Sequence, residues 1–276
     1  MIDHIEDIIK KMYLPENRVG LFLRGEEPGI KDFKKYVRQL VSLGLLQQTA
    51  RYGVYRVTNQ EVLSTQEMIS LADSYIYVAY LSAMQRWGLT NRNPKYFLFG
   101  RPNKTIIRKL KPVLPDDNDF FVELPIRTPV GHESLHRIIQ QHGDSNIKIV
   151  ETRYPARTMW LGGEHTRIST QAATFVDMLL RPDLCGGINH VIEIWETYFI
   201  ERKAMILAEL IEIVDETPSS ILKVRAGYLI SERLKIKNDT VEGWKRFAAR
   251  GGSRKLDPDK PYKNTFSEKW MLSINV

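Results

Sequence analysis

Residues 132–142 read HESLHRIIQQH and open with the H-E-x-x-H signature of zinc proteases. On a helix, His132 and His136 share one face and could both ligate zinc, while Glu133 would activate a bound water. In the proteases that add a third histidine at this spacing, a glycine turns the chain back to the metal. Here Ile139 occupies that position. We therefore interpret the motif as an exposed first helical turn and expect no metal, no cofactor and no catalytic residue.

The elements that would position functional residues divide the chain into two parts. Residues 1–59 predict three short helices and a two-strand hairpin, which is the order of a winged helix-turn-helix. The third helix covers about Ile30–Leu43, with Gly44 as its C-cap. After a connector at 60–70, residues 70–276 predict a mixed α/β domain with long C-terminal helices. The expected fold class is therefore α+β.

The second part predicts a mixture of helices and strands. The expected elements are a helix at 74–87, strands at 96–99, 105–109, 120–124 and 146–152, and helices at 170–180, 188–214 and 219–234, the last with Ser219 as N-cap. The remainder, from Trp244 to Val276, is basic and rich in turns.

Positive charge is concentrated in the predicted winged helix. The chain carries a formal net charge of +7, which favours a polyanionic partner such as nucleic acid. Such a helix can lay its basic face in the major groove of double-stranded DNA while the hairpin contacts phosphate. The predicted DNA contacts, on the third helix and then on the hairpin, are Lys31, Lys34, Lys35 and Arg38, then Arg51, Tyr52 and Arg56.

A second group of basic residues follows Trp244. It could form an auxiliary nucleic-acid surface, contact an acidic face of a protein partner, or be a solvated basic tail. Its members are Lys245, Arg246, Arg250, Arg254 and Lys255.

The single cysteine, Cys185, excludes an intramolecular disulfide and fits a reducing cytoplasm. We interpret it as a packing residue. The first residues, MIDHIEDIIKK, carry acids and lysines where a signal peptide would be apolar, so we predict no export. No apolar run reaches the roughly 20 residues of a membrane helix, and no membrane partner is expected.

Four segments together resemble the AbiEi family, the antitoxins of type IV toxin–antitoxin and abortive-infection systems. The first ends the winged helix, the second is a helix with Ser-Ala before Gly-Leu, the third has Asp177 before Gly186 and Gly187, and the fourth has Leu-Asp-Pro, then Trp, then Ile-Asn. In this sequence they read LVSLGLLQQTARYGVYRV, YIYVAYLSAMQRWGLT, TRISTQAATFVDMLLRPDLCGGINHVIEIW and LDPDKPYKNTFSEKWMLSINV.

The resemblance implies a cytoplasmic repressor that binds inverted repeats in its own promoter and counteracts a neighbouring nucleotidyltransferase-like toxin, whether or not it touches that toxin directly. We interpret Asp177 as a structural, capped or paired carboxylate, and the two glycines as a turn that needs positive φ. The alternatives are a stand-alone winged-helix regulator and a zinc metallopeptidase that uses His132, Glu133 and His136.

Overall fold

The computed structural model describes residues 38–50, 54–57, 64–73, 75–109, 146–161, 166–201, 205–249 and 254–276. They form a mixed α+β protein, which confirms the expected class. Contacts between residues divide the chain into two compact units. The first comprises Met1–Ile76, Pro102–Ile147 and Trp160–Arg167, and the second Tyr77–Arg101, Lys148–Met159 and Ile168–Val276. None of the helices in these described ranges is long and apolar enough to cross a membrane.

The described elements follow one another in this order along the chain. The strands are β1 Leu46–Ala50, β2 Val54–Val57, β3 Tyr77–Val78, β4 Phe97–Pro102, β5 Ile147–Thr152, β6 Thr158–Trp160, β7 Arg167–Ser169, β8 Phe266–Ser267 and β9 Leu272–Ser273. The α-helices are α1 Thr65–Ala72, α2 Tyr80–Arg86, α3 Lys104–Ile107, α4 Gln171–Leu180, α5 Ile188–Glu201, α6 Met205–Glu216, α7 Ser220–Tyr228 and α8 Asp239–Gly243. Residues 38–42, before β1, are also helical.

Helix α1 lies where we predicted a connector. Its N-terminus is a capping box: the Glu67 amide donates to the Ser64 hydroxyl oxygen at 3.2 Å, and the Ser64 amide donates to the Glu67 carboxylate at 3.0 Å. This reciprocal pair satisfies two amides that no helical carbonyl can reach. The prediction of a connector was wrong because Ser64 and Glu67 have the S-x-x-E spacing that starts a helix.

The five-stranded sheet has the strand order β5-β4-β3-β7-β6. Its central strand β3 pairs antiparallel with β4, through Tyr77 with Gly100 and Val78 with Phe99, and parallel with β7, through Val78 with Ile168. The sheet is therefore mixed. A side chain at Gly100 would collide with the Tyr77 ring, which passes 2.6 Å from the position that a Cβ atom would take. Glycine is thus required here by a close approach.

One predicted element of this region was wrong in its start and another in its type. The helix expected at 74–87 begins only at Tyr80, because the preceding residues form the buried central strand β3. The strand expected at 105–109 is instead helix α3, whose Asn103 side chain accepts a hydrogen bond from the Ile106 amide at 3.0 Å. Short apolar runs do not distinguish a strand from a helix, and the N-cap asparagine decided the second case.

The core of the second unit is aromatic at its centre. Phe175 of α4 packs with Trp195, Tyr198 and Phe199 of α5, with ring centroids 4.9–5.6 Å apart. Helix α4 begins one residue after the predicted Thr170, whose hydroxyl oxygen accepts from the Ala173 amide. Helix α7 begins after Ser219, as predicted, and runs into a short π-helical segment at Leu229–Arg233.

The segment after Trp244 is part of this core and not a peripheral tail. Trp244, Leu256, Trp270 and Leu272 are at most 1% exposed. The Trp244 indole donates to the Asp215 carboxylate at 2.7 Å, and the Trp270 indole donates to the Ser231 hydroxyl at 3.0 Å. These four apolar residues therefore belong to the hydrophobic core of the unit.

Candidate nucleic-acid interface

The helix that ends at residue 42 is stopped by a glycine motif. Gly44 has a φ of 71°, its amide donates to the Val41 carbonyl at 3.0 Å, and the Leu45 amide donates to the Leu40 carbonyl at 3.0 Å. This pair of bonds is a Schellman motif, which needs a left-handed residue and so favours glycine. The C-cap predicted at Gly44 is confirmed. The motif fixes the angle at which the chain leaves the helix.

Of the residues predicted to contact DNA from the third helix, Arg38 is the one that falls in the described ranges. Its side chain is exposed, while Leu40 of the same turn is 4% exposed. Leu40 therefore marks the buried face, and Arg38 is open to solvent and to a ligand. Val41 of the same turn is 39% exposed and so lies at the edge of the buried face.

The two strands that follow form the predicted hairpin. Strands β1 and β2 are antiparallel, and Arg56 stands opposite Gln47 in the register. The Gln47 side chain is exposed, whereas Leu46 is 2% exposed. The backbone register thus places position 56 directly beside Gln47.

Several predicted site residues lie outside the described residues. Among the DNA-contacting candidates these are Lys31, Lys34, Lys35, Arg51 and Tyr52. The zinc motif with His132, Glu133 and His136 lies outside them as well, as does Arg250. Within the ranges that the structure does describe, no three histidine, cysteine or carboxylate side chains are grouped as metal ligands.

The second basic group is largely engaged with its own surroundings. The Lys245 ammonium pairs with the Glu242 carboxylate, and the Arg254 guanidinium donates to the Phe247 carbonyl. The Arg246 guanidinium lies over the Phe247 ring, 4.8 Å from its centroid. The Lys255 ammonium donates to the Lys260 carbonyl at 2.7 Å. Of these side chains, Lys245 and Arg246 are exposed, and the other two are half-buried.

Asp177, which we expected to be a capped or paired carboxylate, is buried without such a partner. It is 3% exposed, and its Oδ2 atom accepts no hydrogen bond from any described residue. Desolvation by burial raises the pKa of this carboxyl to about 8. Among the described residues the interpretation as a paired carboxylate is therefore wrong, and burial favours the protonated form of this side chain.

The neighbours of Asp177 are equally enclosed. Burial, and after it the Asp177 carboxyl, raise the pKa of the Tyr80 hydroxyl far above its ordinary value. Burial also raises the pKa of the Cys185 thiol, which is 0% exposed. A thiol with a raised pKa is a poor nucleophile, which agrees with its interpretation as a packing residue. Gly186 and Gly187 have φ values of 86° and 89°, as predicted.

Comparison with known proteins adds one similarity to this mixed α+β description. No family model matches the chain, and no curated protein matches it. Among solved structures, the crystal structure of the RV2827C protein from Mycobacterium tuberculosis is similar, with a TM-score of 0.42 and 12% sequence identity. The similarity covers 94% of this chain and 91% of that one.

Proposed function

We propose that this protein is a DNA-binding autorepressor and antitoxin of a type IV toxin–antitoxin operon. In this proposal, residues 1–59 form a winged helix-turn-helix, and residues 70–276 counteract a nucleotidyltransferase-like toxin. The resemblance of four sequence segments to the AbiEi family suggests this pairing of roles. The chain then acts as a regulator, without a cofactor.

One observation carries the DNA-binding half of the proposal. A helix bearing the exposed Arg38 ends at a Schellman motif and is followed directly by the β1–β2 hairpin. A recognition helix and wing need this order, because the glycine stop turns the chain so that the hairpin can lie beside the helix. Arg56 on β2 would then approach the backbone of the duplex that Arg38 faces.

The contacts would divide by chemistry. The lysines at 31, 34 and 35 would neutralise phosphates, and Arg38 is the better candidate for a bidentate contact with a guanine edge. Arg51, Tyr52 and Arg56 would contact phosphate or the minor groove from the wing. Phosphate contacts release condensed cations, so the affinity should fall steeply with salt concentration.

Arg38→Ala should weaken binding to the promoter DNA of the protein's own operon. If Arg38 contacts phosphate, the slope of log affinity against log salt should become shallower by about one. If it contacts a base edge, the loss should be about 1–3 kcal/mol and confined to the specific site. Gel shifts at several salt concentrations, with operator and scrambled duplexes, measure both quantities.

The matched control is Arg153→Ala, which removes an exposed arginine of the second unit that lies over the Tyr154 ring. It changes the net charge equally and should leave operator affinity and salt slope unaltered. If the native protein and Arg38→Ala bind every duplex with equal affinity, Arg38 of the third helix does not contact DNA.

Co-expression with the adjacent gene should separate the antitoxin from a stand-alone regulator. We expect the native protein to restore growth to cells that express the neighbouring toxin. Lys34→Ala/Arg38→Ala should restore growth as well, because residues 70–276 carry the neutralising activity in this proposal. Growth counts under an inducible toxin measure it. A neighbouring gene whose product is harmless, or toxicity that the native protein does not relieve, would leave a regulator without antitoxin function.

A further inference from the structure

A short segment of the second unit presents aromatic rings and lysines together on its surface. Every residue from 259 to 266, with the sequence DKPYKNTF, is exposed. Buried residues flank it on both sides: Leu256 and Asp257 before it, and Ser267 after it, are at most 5% exposed. The segment is therefore an exposed loop held between two anchors in the core.

Buried polar side chains brace the backbone of this loop. The Asn275 side chain is 0% exposed, and its Nδ2 atom donates to the carbonyls of Asp257, Lys260 and Pro261 at 2.9–3.2 Å. The Ser273 hydroxyl donates to the Lys263 carbonyl at 3.0 Å and accepts from the Lys263 amide at 3.1 Å. A loop fixed in this way presents its side chains with little ordering entropy left to lose on binding.

Two rings stand out from the braced loop. Tyr262 is 48% exposed and Phe266 is 54% exposed. Phe266 belongs to β8 and pairs in register with Ser273, so its backbone is also fixed. Exposed aromatic faces on a rigid support resemble the stacking platforms that proteins offer to unpaired bases.

Lysines lie within and beside the loop, and one of them contacts a ring. The Lys255 ammonium lies 5.7 Å from the centroid of the Tyr262 ring and donates to the Lys260 carbonyl. Lys263 donates to the Val276 oxygen. The Lys260 ammonium is 3.6 Å from the Asp257 carboxylate, and this ion pair neutralises part of the positive charge of the loop.

The buried Arg225 partly balances the negative charge of Asp257 and Asp259. Burial lowers the pKa of Arg225 to about 10, and the carboxylates of Asp257 and Asp259 oppose that fall because their charges favour the guanidinium. Arg225 is 6% exposed, so it balances these aspartates from inside the unit, and the accessible positive charges of the loop are those of Lys260 and Lys263.

We infer that Tyr262 and Phe266, with Lys255, Lys260 and Lys263, form a binding site for single-stranded nucleic acid. Unpaired bases would stack on the two rings while the ammonium groups contact the intervening phosphates. A duplex fits poorly, because its base faces are already covered by stacking. A protein partner that docks on exposed apolar surface is the competing occupant, and the interleaved cations favour the polyanion. The inference concerns the second unit and does not depend on the proposed repressor function.

The test is binding of the full chain to short fluorescent oligo(dT) and oligo(U), followed by anisotropy, with a duplex of equal length for comparison. Tyr262→Ala/Phe266→Ala should weaken single-strand binding by about tenfold for each ring removed. Lys260→Ala/Lys263→Ala should make the salt dependence shallower by up to about two phosphate contacts. Tighter binding to oligo(U) than to oligo(dT) would show that the site prefers RNA. Equal binding to both would show that it accepts single strands of either kind.

A matched control is Tyr96→Ala, because Tyr96 is 38% exposed in the same unit and has the Lys95 ammonium 5.4 Å from its ring centroid. It should bind as the native protein does. Tyr262→Phe should keep the affinity and Tyr262→Leu should lose it, since leucine preserves apolar area without a stacking face. The inference fails if the native chain does not bind either oligonucleotide, if the double alanine variant binds equally well, or if leucine substitutes fully for tyrosine.

Discussion

Asp177→Asn should make the protein more stable than the native chain at neutral and alkaline pH, and the gain should grow with pH. The native carboxyl is buried without a hydrogen bond to its Oδ2 atom, and burial raises its pKa from 3.8 to about 8. Asparagine has nearly the same shape and does not ionise. The variant therefore removes the cost of keeping a carboxyl protonated when the unfolded chain would release its proton.

The sign of this stability difference follows from the number of protons that the folded and unfolded chains bind at Asp177. Between pH 4 and pH 8, approximately the unfolded and folded pKa values, the folded state holds a proton at Asp177 that the unfolded state has lost. The free energy of unfolding of the native chain therefore falls as pH rises through this window, and levels off above it. The largest slope from one group is about 1.4 kcal/mol per pH unit, so the difference between variant and native chain should reach a few kcal/mol at pH 7.

Urea unfolding at a series of pH values measures this difference. A suitable control is Asp239→Asn, in the exposed first turn of α8, which should give a difference that does not rise in the same window. A difference between Asp177→Asn and the native chain that stays constant from pH 4 to pH 8 would contradict the raised pKa.

Gly227→Ala should destabilise the second unit by about 3 kcal/mol, although alanine is the better helix former. A Cβ atom at Gly227 in α7 would lie 2.2 Å from the six-membered ring of Trp270, which is 0% exposed. No real carbon contact is that short, so the indole must move. Its Nε1 atom is bonded to the Ser231 hydroxyl, and movement would strain or break that hydrogen bond.

A double-mutant cycle isolates this contact. Trp270→Leu should destabilise the chain by itself, because it removes buried aromatic area. Adding Gly227→Ala to Trp270→Leu should then cost little or even stabilise, since only the helical preference for alanine remains. Gly243→Ala, with no atom within 4 Å of the added Cβ, is the control and should change the free energy of unfolding by less than about 1 kcal/mol. An unchanged cost of Gly227→Ala in the leucine background would show that the indole is not its cause.

The sequence predicted best where a local signal decides the structure. Gly44 ends a helix because a left-handed residue is needed there, and Ser219 starts one because its hydroxyl accepts an amide hydrogen bond. The hairpin was predictable from its alternation and turn residues. These features depend on a few adjacent residues, so a single sequence is enough to find them.

Prediction failed where pairing partners distant in sequence decide the outcome. Tyr77 and Val78 form a strand because β4 and β7 lie on its two sides, which no local pattern reveals. Asp177 was expected to have a partner, and its burial depends on how α4 packs in the core. The capping box of Ser64 and Glu67 is different, since its spacing was visible in the sequence and was overlooked.

The exposure of the two rings in the inferred single-strand binding site was not predictable from the sequence for a related reason. Tyr262 and Phe266 lie in a turn-rich basic stretch, where an aromatic residue can equally well fill a core, as Trp244 and Trp270 do. Alternation of lysines and aromatics was the available signal. Only the packing of the flanking residues distinguishes the rings that face solvent from those that do not.

Trp270 and Asn275 are wholly enclosed, Trp270 against α7 and Asn275 beneath the braced loop. Helix α7 therefore packs against a residue that follows it at a large distance in sequence, and the loop is held by another such residue. Contacts of this kind cost more loop-closure entropy than local ones, so we expect this unit to fold more slowly than a protein built from neighbouring helices.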